Sequence, residues 1–185
     1  IGVRLVGSEM CIRDRSLTEF FRKLKIVPVS ISYEYDPTDV LKMPQLLAKA
    51  NDEVYVKEKN EDFNNLLSGI MGQKKHIHLH VGDVIDAELD VIATENDNAN
   101  KQIQALAQVL DEAIIKGYKL WPTNYIAYDL QNNTTRFADK YTEKEKQVFE
   151  RRLDMRIDQD NPILRDGFLA MYANPVANKL KYEHA

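Results

Sequence analysis

His76, His78 and His80 stand at every second position of the run H-I-H-L-H-V, the spacing that sets three imidazoles on one face of a β-strand. Imidazoles alternating in this way can hold zinc or iron, with Asp83 the nearest carboxylate that could complete the set. Asp83 lies at an odd offset from all three, so a strand carried through Gly82 sends it to the other face. His78 and Asp83 also match H-x-x-x-x-D, the pattern of a general base and its orienting carboxylate. Base and orienter must share a hydrogen bond, which an offset of five along a strand denies them, so the match reads as accidental. A second chemical candidate, Glu34, lies in Y-E-Y-D directly after the run I-V-P-V-S-I-S, where the loops of open α/β sheets line ligand crevices. Against it stands ordinary turn chemistry, with Asp36 and Asp39 bonding local backbone amides.

These residues need elements to position them. L-T-E-F-F-R-K-L-K has the character of a helix end and feeds into residues 26–32, which by composition read as a strand buried on both faces, with Pro28 tolerated near its start. Residues 41–50 and 61–70 read as helices, the second carrying Phe63, Leu66, Leu67 and Ile70 at helical spacing. His76 to Val81 alternates polar and apolar, a strand ending at Gly82-Asp83, and Val54 to Val56 is a weaker strand candidate. Residues 98–116 form an amphipathic helix with Ile103, Leu106, Ala107, Leu110 and Ile114 on one face. That order favours an α/β layered sheet. Beyond Leu120 only helices are expected: one from Trp121-Pro122-Thr123, one capped by Thr142 and Glu145 with Phe149, Leu153 and Ile157 on a shared face, one starting at Pro162, and a last one restarting at Asn174-Pro175. The charges between Lys140 and Arg156 read as a solvated helix face, with contact to anionic lipid headgroups as the alternative.

Residues 5–14, L-V-G-S-E-M-C-I-R-D, have neither helical nor strand periodicity, and their charges interrupt any signal-peptide core. One frame of a widely used transposase sequencing adapter translates to those ten residues. Residues 1–15 are therefore expected to be an adapter-derived artefact that packs on nothing, with native sequence from near Ser16. Excluding them removes the only cysteine, Cys11, and with it any thiol nucleophile, disulfide or cysteine ligand. The remaining residues suit a single domain or a large piece of one. A net charge of −4 argues against a general nucleic-acid binder, and no apolar run is long enough to span a bilayer.

The V-P-V strand, the strand ending in V-G-D-V-I-D and the following amphipathic helix ending in G-Y, taken in that order, resemble the C-terminal half of the glycerophospholipid acyltransferase family. Y-E-Y-D-P-T-D-V-L-K, L-W-P-T-N-Y-I-A-Y-D-L and Y-A-N-P-V are similar to a bacterial subgroup with a helical extension, so the resemblance covers 17–182. It implies the C-terminal portion of an acyltransferase domain over 16–120 and the extension over 121–185. It also implies acyl transfer from a thioester of acyl carrier protein or coenzyme A to a glycerol-phosphate or lysophospholipid hydroxyl, peripherally on the cytoplasmic face of a membrane, with no cofactor. Val27, Pro28, Val29 and Glu34 become the substrate-binding candidates. The family's H-x-x-x-x-D and E-G-T-R-type motifs lie upstream of V-P-V, so this chain is expected to be inactive, and its strands to be left with an open edge and exposed apolar surface. A metal-binding α/β protein using His76, His78 and His80, or a noncatalytic interaction module, are the alternatives.

Overall fold

The computed structural model describes residues 17–183, so the expectation for residues 1–15 lies outside the described residues. The elements run α1 (Leu17–Leu24), β1 (Val29–Tyr33), α2 (Met43–Ala50), α3 (Glu61–Met71), β2 (Ile77–Val81), α4 (Ala87–Glu95), α5 (Ala99–Gly117), α6 (Pro122–Asn132), a 3-10 turn (Ala138–Lys140), α7 (Glu143–Arg156) and α8 (Pro162–Glu183). The expected α/β layered sheet is thus corrected. The protein is mostly helical, and among the described residues its only sheet is one antiparallel pair, β1 with β2. Among the described residues only these two segments pair as strands; 54–56 forms no strand, with Val54 and Val56 exposed.

The strand expected to be covered on both faces is covered on one, and by its polar residues. Ser30 and Ser32 are buried while Val29 and Ile31 are about half exposed, at 46% and 49%. In β2 the apolar Ile77, Leu79 and Val81 are likewise exposed. The run 26–32 is apolar on average, but its serines alternate with its aliphatics, and the pleat sends the two sets to opposite sides.

The chain divides into two compact units, with the breaks inside both strands: residues 17–30 with Leu79–Gly117, and Ile31–His78 with residues 118–183. In the first, Ile85, Leu89, Ile92 and Leu106 form a small core against Phe21, Ile26, Val109 and Leu110. Arg22 clamps α1 to the start of α4 through Asp86 (2.9 Å) and Asp90 (2.5 Å). The stripe expected on α5 is only partly used, since Ile103 and Ile114 stay exposed. Helix α4 has no counterpart in the sequence reading.

The second unit carries the larger core. Met43, Ile126, Ala127, Phe149, Leu153, Phe168, Leu169, Tyr172 and Ala173 knit α2, α6, α7 and α8 together, with the rings of Phe149, Phe168 and Tyr172 in mutual contact. Gly167 lets α2 approach α8: a Cβ there would stand 2.7 Å from Leu46 Cδ1. The expected restart at Pro175 does not occur, because α8 runs through it. Proline inside a helix costs about 3 kcal/mol, which burial of the flanking Tyr172, Ala173 and Val176 can offset.

Helix α7 begins as expected. Thr142 Oγ1 accepts from Glu145 N at 3.2 Å and Glu145 Oε2 accepts from Thr142 N at 2.7 Å. Bonds from the Thr142 backbone and hydroxyl hold the Glu145 carboxyl below its ordinary pKa. A lowered folded-state pKa makes this contribution full above the unfolded value of about 4.3 and lost as pH falls through the lower folded value. Thr142→Ala should cost about 1 kcal/mol in denaturant unfolding near neutral pH. The margin of the parent protein over Glu145→Gln should shrink as the same measurement is taken to acid.

Candidate functional site

The segment after β1, Y-E-Y-D-P-T-D, is where the second unit concentrates its polar chemistry. Asp36 makes the expected local turn, accepting from Thr38 N and Oγ1, both at 2.7 Å. Asp39 does not. Its carboxylate is fully buried and receives Arg152 Nη2 at 2.6 Å, Arg156 Nη2 at 2.8 Å and the Tyr172 hydroxyl at 3.0 Å, with both Nε groups at 3.1 Å. Tyr172 OH in turn accepts from Asp36 N at 3.0 Å, and the Arg152 guanidinium lies 4.3 Å over the Tyr35 ring. Burial opposes the Arg152 charge, yet Tyr172 and Asp39 outweigh it and raise its pKa further. Burial, then the Asp39 charge, pushes the Tyr172 hydroxyl well above its ordinary value. The segment is therefore anchored to α7 and α8 by ionised arginines and a neutral tyrosine.

Glu34 begins the same segment and is buried as well. Its Oε2 lies 2.5 Å from His76 Nδ1, and its Oε1 accepts from Lys75 Nζ. Its main-chain oxygen accepts from Thr123 Oγ1 at 2.8 Å, tying the segment to α6. Burial opposes the Lys75 charge, but the Glu34 bond and the nearby Glu34 and Glu145 carboxylates raise its pKa overall. His76 stacks on Trp121, ring centroids 5.6 Å apart, and Lys119 sits over the same indole at 4.2 Å. A cleft of about 360 Å³ opens beside this cluster, its wall including Glu34, Tyr35, Lys75, Lys144, Glu145 and Val148. With both oxygens engaged, Glu34 is not a free base. It fixes one nitrogen of an exposed imidazole, and the cleft wall sets two lysines, Lys75 and Lys144, against two carboxylates, Glu34 and Glu145.

Of the four substrate-binding candidates, only Glu34 lines this cleft. Val27 and Val29 are exposed, whereas Pro28 is buried and its carbonyl accepts from Gly82 N at 2.9 Å. The three histidines part company: His76 goes to Glu34 and Trp121, and His80 packs against Gly117. No group of three His, Cys, Asp or Glu among the described residues is placed to hold a metal ion. No hydrogen bond joins His78 to Asp83 among the described residues, and β2 ends before Asp83 is reached.

Most of the charged face expected on α7 is exposed, with Arg152 the exception: its side chain is largely buried, and both it and the more exposed Arg156 reach in to Asp39. The signal for this was present. Arg152 and Arg156 stand at i+3 and i+7 from Phe149, on the stripe that carries Leu153, so the helix period places them toward the core. Tyr172, Lys75 and Trp121 carried no comparable signal. Comparison with family models, curated proteins and solved structures finds no match to the chain.

Removing one partner of a buried ion pair leaves the other uncompensated, at about 3–5 kcal/mol. Asp39→Ala, which strands Arg152, should show a loss of that size in denaturant unfolding. Arg156→Gln should cost clearly less, since Asp39 keeps Arg152 and Tyr172.

Proposed function

We propose that the chain contributes the V-P-V portion of a peripheral acyltransferase of the glycerophospholipid type. The reaction moves a fatty acyl group from an acyl carrier protein or coenzyme A thioester to a glycerol-phosphate or lysophospholipid hydroxyl. One observation carries the reading: the two strand motifs on which the resemblance rests lie directly beside each other. Gly82 N donates to Pro28 O, and Ile85 N donates to Ile26 O, each at 2.9 Å. Supporting it, α3 holds Phe63, Leu66, Leu67, Ile70 and Met71 exposed at helical spacing, an apolar stripe suited to lying in a headgroup layer. No helix among the described residues is long and apolar enough to cross a membrane. The proposed location is the cytoplasmic face of a membrane, held peripherally.

The chain's part in this reaction is binding rather than proton transfer, because its one H-x-x-x-x-D match cannot bring His78 and Asp83 together. Incubated with labelled acyl-coenzyme A or acyl carrier protein and glycerol 3-phosphate or lysophosphatidate, the chain should transfer nothing above background. Absence of a general base typically costs about 10²- to 10⁴-fold. Expressed as part of a longer protein that supplies the H-x-x-x-x-D and E-G-T-R-type motifs this proposal requires, it should transfer acyl groups. Transfer by the chain alone, abolished by His78→Ala, would overturn the assignment of roles, and an inactive extended protein would overturn the reading itself. In flotation with vesicles of anionic phospholipid the chain should rise with the lipid, and Leu66→Asp with Ile70→Asp should leave it at the bottom.

A further inference from the structure

A cavity of about 410 Å³ lies between the segment after β1, the C-terminal half of α3 and the last turns of α7. Its size falls within the roughly 300–1,000 Å³ of small-molecule sites. It is two-sided in chemistry. Arg152 and Arg156 form its cationic wall, Ser68 is also in the lining, and Val40, Leu41 and Met71 supply an apolar wall that continues onto the exposed stripe of α3. Among the described residues no carboxylate lines it.

The arginines are oriented but not exhausted. Each spends Nε and Nη2 on Asp39, and Arg152 Nη2 also reaches Asp36 O at 3.4 Å. Neither Nη1 group carries a hydrogen bond among the described residues. Two guanidinium charges against the single Asp39 carboxylate leave one positive charge at the cavity wall. A planar guanidinium held in place matches a carboxylate edge-on, and one net charge matches a monoanion better than a phosphate monoester, which carries about −1.5 to −2 near neutral pH.

From this geometry we infer that the cavity is a binding site for a fatty-acid carboxylate, its head on Arg152 and Arg156 and its alkyl chain along Val40, Leu41 and Met71. The assignment rests on the cavity alone and is independent of the acyl-transfer reading. That activity can fail while this site binds, and the reverse.

The test is isothermal titration of the intact chain with three probes below their micellar concentrations: octanoate, inorganic phosphate and the neutral detergent octyl glucoside. Octanoate should bind, with each of the others at least about tenfold weaker, since a charge-assisted bond and the buried chain each contribute a factor of ten or more. Arg156→Gln should weaken octanoate about 10- to 100-fold, the range of one charged hydrogen-bonding partner. Met71 is exposed and outside the core, so Met71→Glu should also weaken octanoate at least tenfold by like charge while leaving circular dichroism and the thermal midpoint unchanged. That variant keeps the inference testable if Arg156→Gln fails to fold. Octanoate binding no tighter than octyl glucoside, or unmoved by Met71→Glu, would overturn the site. Phosphate binding more tightly than octanoate would overturn the ligand class.

Discussion

A carboxylate with no exposed surface survives in a protein only if its charge is met on every side, and Asp39 imposes that condition on the second unit. The partners come from far along the chain: Arg152 and Arg156 on α7, and Tyr172 on α8. Such an arrangement adds little net stability over an apolar replacement, but it is costly to break. Its consequence is therefore positional. The chain leaving β1 must bring Asp39 to that one place, which sets Asp36 under the Tyr172 hydroxyl and Tyr35 under the Arg152 guanidinium. Glu34 then reaches Lys75 and His76, and Thr123 closes on its main chain.

The strands show the opposite condition. Ser30 and Ser32 are buried with hydroxyls that find no hydrogen-bond partner among the described residues, and the aliphatic side chains next to them face outward. An isolated two-stranded pair is marginal in water. Here the pair is held at its ends by bonds that do not depend on an apolar face: Glu34 N to His76 O at one end, Gly82 N to Pro28 O at the other, both at 2.9 Å. A pair held in this way can keep its aliphatic side uncovered.

What the sequence made legible follows from how local each signal is. The capping box of α7, the proline start of α8, the periodic helices at α3 and α5 and the alternation of β2 are all written within a few residues, and they stand where expected. The layered sheet did not follow, because a run such as 26–32 does not state how many neighbours it will have. The asymmetry of Ser30 and Ser32 against Val29 and Ile31 was legible as alternation but was masked by the average hydropathy of the run. Pro175 was a local signal overruled by packing, since its neighbours on α8 are buried. Glu34 could be singled out from its place after a strand. Its pairing with Lys75 and His76 could not, because it joins residues some forty positions apart.

Asp39 and Glu34 also divide the labour of the segment between them, and their surroundings decide how. Asp39 is met by five donor groups and is closed from solvent, so it can only position. Glu34 is equally buried, yet its partners are not: the side chains of Lys75 and His76 are 38% and 67% exposed. A buried acid bonded to an exposed imidazole and an exposed ammonium holds both in place, and Lys75 stands with Glu145 in the wall of the adjoining cleft. The segment thus uses one carboxylate to fasten itself to the helices and the other to arm its open side. The same logic repeats further along α7, where Asp39 takes Nε and Nη2 of two arginines that also line a cavity.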